Sequence, residues 1–272
     1  MRPYYEHAGV TIYHGDCREI LPHLGAEALI TDPIWPNCEH VFPGINAEEL
    51  LHDALEVANV RRVAIQIGCA SDPRFLNAVP LRWPYIRTCW LEYACPSYQG
   101  RVLNTGDVAY IFGEPPTSRP GAMVLPGVCI ARTNDRGFTR WNWASAETRQ
   151  KERGTAKLEH MPHPTPRRTE HVRWLVKWFG GESIIDPFAG SGTTLLEAKN
   201  QGIHAIGIEI EEKYWSKLRG MIEYLREYLR PDGRVLADDK CQVGDVSVHG
   251  SPDNGSLEIE FGRSLVCHRL LI

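Results

Sequence analysis

The stretch SIIDPFAGSGTTLLEAKNQGIHAIGIEIEEKYW, residues 183–215, decides the fold. Ser183-Ile184-Ile185 is a short apolar run that predicts a buried strand, and Asp186-Pro187-Phe188 ends it. The small-residue turn Ala189-Gly190-Ser191-Gly192 leads into Thr193-Thr194 and a helical pattern with Leu195, Leu196 and Ala198 on its apolar side. A second strand, Ala205 to Ile208, runs into Glu209. Strand, glycine turn, helix, strand and acid make one βαβ unit with a ligand crevice at the carboxyl end of its first strand.

Each position has a physical reading. Gly190 and Gly192 remove Cβ atoms where backbone bends sharply or approaches a ligand. The first helical N–H groups beyond them favour an anionic or carboxylate group. Glu209, at the tip of the next strand, can accept two hydrogen bonds from a ribose 2′,3′-diol. Together they call for a nucleoside with a polar tail. The turn has G-x-G without the third glycine of the dinucleotide fingerprint, which disfavours NAD while leaving it open.

DPFAGSGTT (186–194), followed by GIEI (207–210) and Tyr214, resembles the S-adenosylmethionine (SAM) site of the amino-methyltransferases that modify DNA. In that family a second motif, DPPY or a variant, carries the chemistry. This chain has Asp32-Pro33-Ile34-Trp35, upstream of the glycine turn, and that order is similar to the circularly permuted β-class. The resemblance covers roughly residues 4–36 and 160–224. It implies an α/β, Rossmann-like SAM-dependent methyltransferase fold: a mainly parallel central sheet with helices on both faces. It implies SAM as cofactor, held by Asp186, Phe188, Gly190, Gly192, Thr193, Thr194 and Glu209. A Gly-Asp at Asp16 approaches the adenine in relatives, and His163-Pro164-Thr165 resembles the HPT that opens the helix before the glycine turn. Relatives continue with Lys-Pro; here Arg167-Arg168 follows, and the helix-starting proline stands at 166.

The resemblance also implies the chemistry. An exocyclic amine is a poor nucleophile because its lone pair is delocalised into the base. Asp32 accepts one amino hydrogen and the Pro33 carbonyl the other, freeing the lone pair for in-line attack on the SAM methyl. Alignment of this kind contributes up to roughly 7–11 kcal/mol in ideal cases. The base must be flipped out of the duplex, and Trp35 offers its π-face a platform, a contact type that contributes roughly 1–3 kcal/mol. Ile34 and Trp35 depart from the usual proline and tyrosine. An Asp at the first position leans toward adenine N6 over cytosine N4. Competing readings are a catalytically decayed DNA- or SAM-binding module and a nicotinamide-dependent dehydrogenase. The latter leaves Asp32 to Trp35 unexplained. Cytosine C5 methylation needs a Cys after a Pro, and the chain has only Cys95-Pro96, in reverse order.

Composition sets the class. At 272 residues, 43% hydrophobic and 24% charged, the chain suits a soluble globular protein of one sizeable α/β domain with insertions, or of a domain plus a small appendage. No apolar run approaches the ~20 residues that cross a bilayer, and MRPYYEHAG lacks a signal-peptide core. Eight cysteines stand singly with no C-x-x-C pair, which points to reduced thiols and a cytoplasmic location rather than disulfides or a zinc ribbon. His160 and His163 form an H-x-x-H pair, but prolines on both sides break any helix that would align them, so no metal site is expected. Net charge is −4, yet residues 132–177 carry eleven basic and five acidic residues. A basic face on an acidic body can track phosphates, against the plainer reading of a solvated surface. DNA is the expected partner, no membrane contact is expected, and a homodimer is left open.

Along the chain, strands are predicted over Val10–Tyr13, Ala28–Thr31, Arg62–Gly68, Arg87–Tyr93 and Val108–Phe112. Helices are predicted over Cys17–Leu24, Ala47–Ala58 (Asn46 as cap), Asp72–Val79, Thr169–Phe179 and Glu211–Arg230. Asp16 doubles as a helix N-cap in the plainer reading. Residues 113–166, broken by prolines and glycines, form an irregular insertion, and the resemblance implies that this region holds the target-recognition element. There Arg136, Arg140 and Trp141, with Arg167 and Arg168 beyond, suit backbone contact and base stacking, although such a tryptophan can equally anchor the loop to the core. The methyltransferase domain is expected over 1–230. Residues 231–272 are expected as a small β-appendage or a loosely held tail.

Overall fold

The computed structural model describes residues 2–36, 44–116, 124–132, 167–211 and 214, and four strands within 241–266. The chain divides into two compact units, Met1–Gly137 with Thr165–Trp215, and Phe138–Pro164 with Ser216–Ile272.

The first unit is built on one nine-stranded sheet. Its strands in chain order are β1 (Tyr5–His7), β2 (Val10–His14), β3 (Ala28–Thr31), β4 (Arg62–Gly68), β5 (Tyr85–Gln99), β6 (Val102–Gly113), β7 (Val128–Ile130), β8 (Ser183–Asp186) and β9 (His204–Glu209). Their order across the sheet is β1-β2-β9-β8-β3-β4-β6-β5-β7. From β2 through β9, β8 and β3 to β4 every neighbour is parallel. β6 then enters antiparallel to both β4 and β5. β8, which leads into the glycine turn, pairs directly with β3, which leads into Asp32, in the register Ala28↔Ile184 and Leu29↔Ile185. Two loops far apart in sequence thus leave the same edge of the sheet from adjacent strands, the place where open α/β sheets hold ligands.

The strands read as near-continuous apolar runs because both faces are covered. On one face lie α1 (Cys17–Ile20) and α2 (Ala47–Val57). Leu51, Ala54 and Leu55 of α2 recur at helical spacing and are buried, and the Asn46 side chain accepts from the Glu49 N–H at 3.2 Å. They pack with Leu29, Ile65, Ile67, Ile185, Ile206 and Ile208. On the other face, α3 (Thr169–Phe179) buries Val172, Leu175, Val176 and Phe179 completely, and α4 (Thr193–Asn200) buries Leu195 and Ala198. Pro22 limits the predicted helix after Cys17 to one α turn and a 3-10 turn, Leu21–His23. Likewise, Pro73–Ala78 is 3-10, capped by Asp72.

The sheet departs from expectation at its two edges. Residues 85–113 form a long antiparallel hairpin around Gly100 (φ 60°), with irregular pairing between Glu92 and Ser97 where Pro96 cannot donate. β1 and β7 are strands of three residues, too short for a periodic signal. In the second unit, β10 (Cys241–Val243), β11 (Val246–Gly250), β12 (Leu257–Phe261) and β13 (Ser264–Val266) form an antiparallel sheet in that order. No helix among the described residues is long and apolar enough to cross a membrane.

Candidate active site

The glycine turn folds as its small residues require. Gly190 and Gly192 adopt φ of 51° and 77°, the left-handed region that residues with a Cβ rarely enter. The Gly190 N–H donates to Glu209 Oε2 at 2.7 Å and the Glu211 N–H to Glu209 Oε1 at 2.8 Å. One carboxylate at the end of β9 therefore fastens the turn after β8. Burial pushes the Glu209 carboxyl up from the ordinary range, and the two N–H groups pull it back. Gly192 precedes α4 without a side-chain cap, and the first N–H groups of a helix so begun suit an anionic group. Thr193 and Thr194 are buried. Asp186 is completely buried, and its Oδ1 accepts from Thr31 Oγ1 at 2.8 Å and from the Phe188 N–H at 3.2 Å. Its role as placed is to bracket the turn and bind β8 to β3.

Asp16 follows β2, which runs beside β9 with His14 opposite Glu209. The Gly15 N–H donates to the Glu209 carbonyl at 3.1 Å, so Asp16 stands near the same crevice edge. Its carboxylate caps α1 through the Arg18 N–H at 2.9 Å and pairs with the Arg18 guanidinium at 2.6 Å. The side-chain hydrogen bond from Arg18 chiefly lowers its pKa.

Asp32 lies just beyond β3. Trp35 Nε1–H donates to its Oδ1 at 2.7 Å, and Arg167 Nε lies 3.3 Å from its Oδ2. Burial raises the Asp32 carboxyl to about 7, against the opposing pull of Arg167; Asp107 and Asp186 add to the rise and Trp35 opposes it. Trp35 rests on Gly68 at the end of β4, where a Cβ would come within 2.7 Å of Trp35 Cζ3. Only glycine leaves room for the indole there. Gly68→Ala is expected to displace the ring, loosen its hydrogen bond to Asp32 and destabilise the fold by about 1–3 kcal/mol. Thermal unfolding and tryptophan emission would register the change, and an unaltered emission spectrum would contradict it.

Arg167 and Arg168, expected at the nucleic-acid face, are placed inward. Arg167 is 7% exposed at its side chain, and besides Asp32 it reaches Asp186 Oδ2 at 3.2 Å and Thr194 Oγ1 at 3.0 Å. Arg168 lies over the Tyr93 ring at 3.6 Å. As placed, both guanidiniums meet protein groups instead of solvent. His163, Thr165, Arg136, Arg140 and Trp141 lie outside the described residues.

Sequence reasoning missed a polar cluster beside Asp32. Asp107 on β6 is buried and accepts from Gln66 Nε2 at 3.2 Å and from the Tyr93 hydroxyl. His171 Nδ1 is 3.6 Å from Asp107 Oδ2, and its Nε2–H donates to the Glu92 carbonyl at 2.9 Å. Burial and the adjacent Asp107 carboxylate push the Tyr93 hydroxyl well above its ordinary pKa. The one available signal was a charge immediately before the apolar run Val108–Phe112, too slight to single out Asp107.

The donor set suits a nucleoside bearing a charged tail. Glu209 spends one lone pair per oxygen on N–H groups and keeps others for hydroxyls, and the uncapped start of α4 suits a carboxylate. Comparison with known proteins points the same way. A family model described as DNA methylase, N6_N4_Mtase, matches residues 101–237, half of the chain. The type II methyltransferase M.ScaI of Streptomyces caespitosus is 25% identical over 261 residues, covering 82% of this chain and 84% of M.ScaI. Among solved structures, the M1.HpyAVI–SAM complex aligns with a TM-score of 0.52 at 19% identity, over 78% of this chain and 98% of that one. The cytosine-N4-specific PvuII DNA methyltransferase aligns with a TM-score of 0.53 at 15% identity, over 79% and 87%. These two likenesses speak to the fold alone, which is that of SAM-dependent methyltransferases. With the family model spanning half its length, the chain belongs to the DNA methylase family of SAM-dependent N6-adenine and N4-cytosine methyltransferases.

Proposed function

We propose that this protein transfers a methyl group to the exocyclic amino nitrogen of a base flipped out of DNA, with adenine N6 favoured over cytosine N4. The observation that carries this reading is the meeting of Asp32 with the glycine turn. Its carboxylate and that of Asp186 share one guanidinium, Arg167, at 3.3 and 3.2 Å. Bound SAM supplies a methyl group already activated by its sulfonium. Glu209 would hold the ribose, and the first N–H groups of α4 the methionine carboxylate. Asp16 is assigned to the adenine edge, and Phe188 to the wall of the pocket.

The acceptor side follows from Asp32, Pro33 and Trp35. The ionised Asp32 carboxylate accepts one amino hydrogen and the Pro33 carbonyl the other, so the nitrogen lone pair turns out of conjugation. Trp35 gives the base an aromatic plate whose own position is fixed by Gly68 and by its hydrogen bond to Asp32. Proton transfer to a positioned carboxylate is most effective when its pKa lies near the working pH, and Asp32 at about 7 satisfies that. The order of the two loops along the chain supports the permuted β-class arrangement. An Asp at the head of the motif supports adenine.

Nucleoside analysis of DNA from a host expressing the protein tests this directly. N6-methyladenine above the background of a vector control is the expected product. N4-methylcytosine alone would move the assignment to the other base, and neither nucleoside would leave the decayed-module reading standing.

A further inference from the structure

We propose that Arg167 is a positioning residue for methyl transfer, fixing the Asp32 carboxylate against the glycine-turn strand by gripping Asp32, Asp186 and Thr194 with one guanidinium. The proposal rests on the reading of Asp32 as the amino-hydrogen acceptor. Three nitrogens of one side chain meet three partners: Nε lies 3.3 Å from Asp32 Oδ2, Nη2 3.2 Å from Asp186 Oδ2, and Nη1 3.0 Å from Thr194 Oγ1. Those partners come from three elements: the loop after β3, the end of β8, and the first turn of α4.

Packing explains why a cation belongs there. β3 and β8 are parallel neighbours, so their carboxyl ends bring the fully buried Asp186 and the largely enclosed Asp32 together. Like charges in a poorly solvated place repel strongly, and a cation between them relieves that repulsion. Thr31 adds a second tie by donating to the far oxygen of Asp186. A lysine would supply the charge from one nitrogen, whereas the planar guanidinium fork reaches several acceptors in fixed directions. The backbone behind the fork is held as well. Arg167 precedes α3 by two residues, and α3 is anchored by four completely buried apolar side chains. Trp35 grips the other Asp32 oxygen, so the carboxylate is held at both ends before any base arrives.

The charged and titratable groups around Asp32 are Arg167, Asp186 and Asp107, with Tyr93 and His171 against Asp107. Removing Arg167 takes away the cation and leaves the three carboxylates. The ionised form of Asp32 is then harder to hold, and its titration moves to higher pH.

The test compares wild type, Arg167→Lys and Arg167→Gln in the full chain. Single-turnover methyl transfer to DNA is followed against pH, SAM binding is followed by calorimetry, and thermal unfolding without ligand is followed at several pH values. Arg167→Lys is expected to lower the transfer rate by about 100-fold, as for a misplaced reacting group, while the SAM dissociation constant stays within about threefold. Arg167→Gln is expected to shift the acid limb of the rate profile to higher pH. If that variant does not fold, Arg167→Lys decides the matter alone. Wild-type rates in Arg167→Lys would overturn the proposal. So would a loss of transfer matched by an equal loss of SAM affinity, which would make Arg167 a donor-loop support only. A wild-type protein that transfers no methyl group would instead defeat the underlying functional reading, whatever the variants do.

Discussion

Asp32→Asn is expected to reduce methyl transfer by about 10²–10⁴-fold and, in the same protein, to raise thermal stability at pH 8. The two effects share one cause. Asp32 is enclosed among Trp35, Arg167 and the carboxylates of Asp107 and Asp186, and burial lifts its carboxyl to about 7. In the unfolded chain such a group ionises near 4. A folded pKa above the unfolded one favours the native state below about pH 4, and that advantage is lost as the pH rises through about 7. At pH 8 the native state therefore carries a carboxylate that its surroundings disfavour. Asparagine has the same shape, never ionises, and offers its oxygen to the Trp35 N–H, but its NH2 then faces the Arg167 Nε–H and that contact is lost. Stability should rise by on the order of 1–3 kcal/mol at pH 8, with little change at pH 4. An amide oxygen accepts an amino hydrogen weakly and takes up no proton, so transfer collapses. In the wild type the rate should fall as the pH drops below about 7. Methyl transfer and thermal melts of the two proteins at pH 4, 6 and 8 separate the outcomes. Undiminished turnover would remove Asp32 from the chemistry, and a lower melting temperature at pH 8 would show that the Arg167 pairing outweighs desolvation.

What could be read from the sequence was whatever has a short-range signature. Strand β8, the two glycines, helix α4 and Glu209 occupy one continuous segment, and each follows from local rules about φ, caps and apolar runs. Helix α3 was equally plain, since Val172, Leu175, Val176 and Phe179 fall on one stripe. Arg167 was not plain. Next to Arg168 in a basic interval it has the look of a solvated charge, and only the β3–β8 pairing reveals that two carboxylates await it. Asp107 was hidden for a similar reason. It sits in a strand whose neighbours Gln66 and Tyr93 come from strands paired with β6, and His171 comes from a helix on the sheet face. The edge hairpin of residues 85–113 outran its apolar pattern because its outer half is held by backbone pairing, with Val102 and Leu103 left exposed. Such relations are set by long-range register, which a single sequence does not encode locally.

Glu209→Ala is expected to weaken SAM binding by about 10–100-fold, the range for losing one or two hydrogen bonds to a charged group, while turnover at saturating SAM falls far less. The carboxylate has two duties in the proposed site. Its free lone pairs anchor the ribose, and its bonds from the Gly190 and Glu211 N–H groups hold the turn and the strand end together. Alanine removes both. Glu209→Gln distinguishes them from mere bulk, because a carboxylate accepts on both oxygens whereas an amide presents an NH2 to one of the two N–H donors. The amide must therefore lose one backbone contact, and glutamine should bind SAM little better than alanine does. Burial already pushes the Glu209 carboxyl upward, so affinity should also decline as acid protonates it, because the protonated group loses acceptor strength toward both N–H groups and the ribose. Calorimetric titration with SAM at two pH values measures each of these effects without relying on catalysis. An unchanged dissociation constant in Glu209→Ala would place the donor's ribose elsewhere, and the acid at the tip of β9 would then serve only to brace the glycine turn.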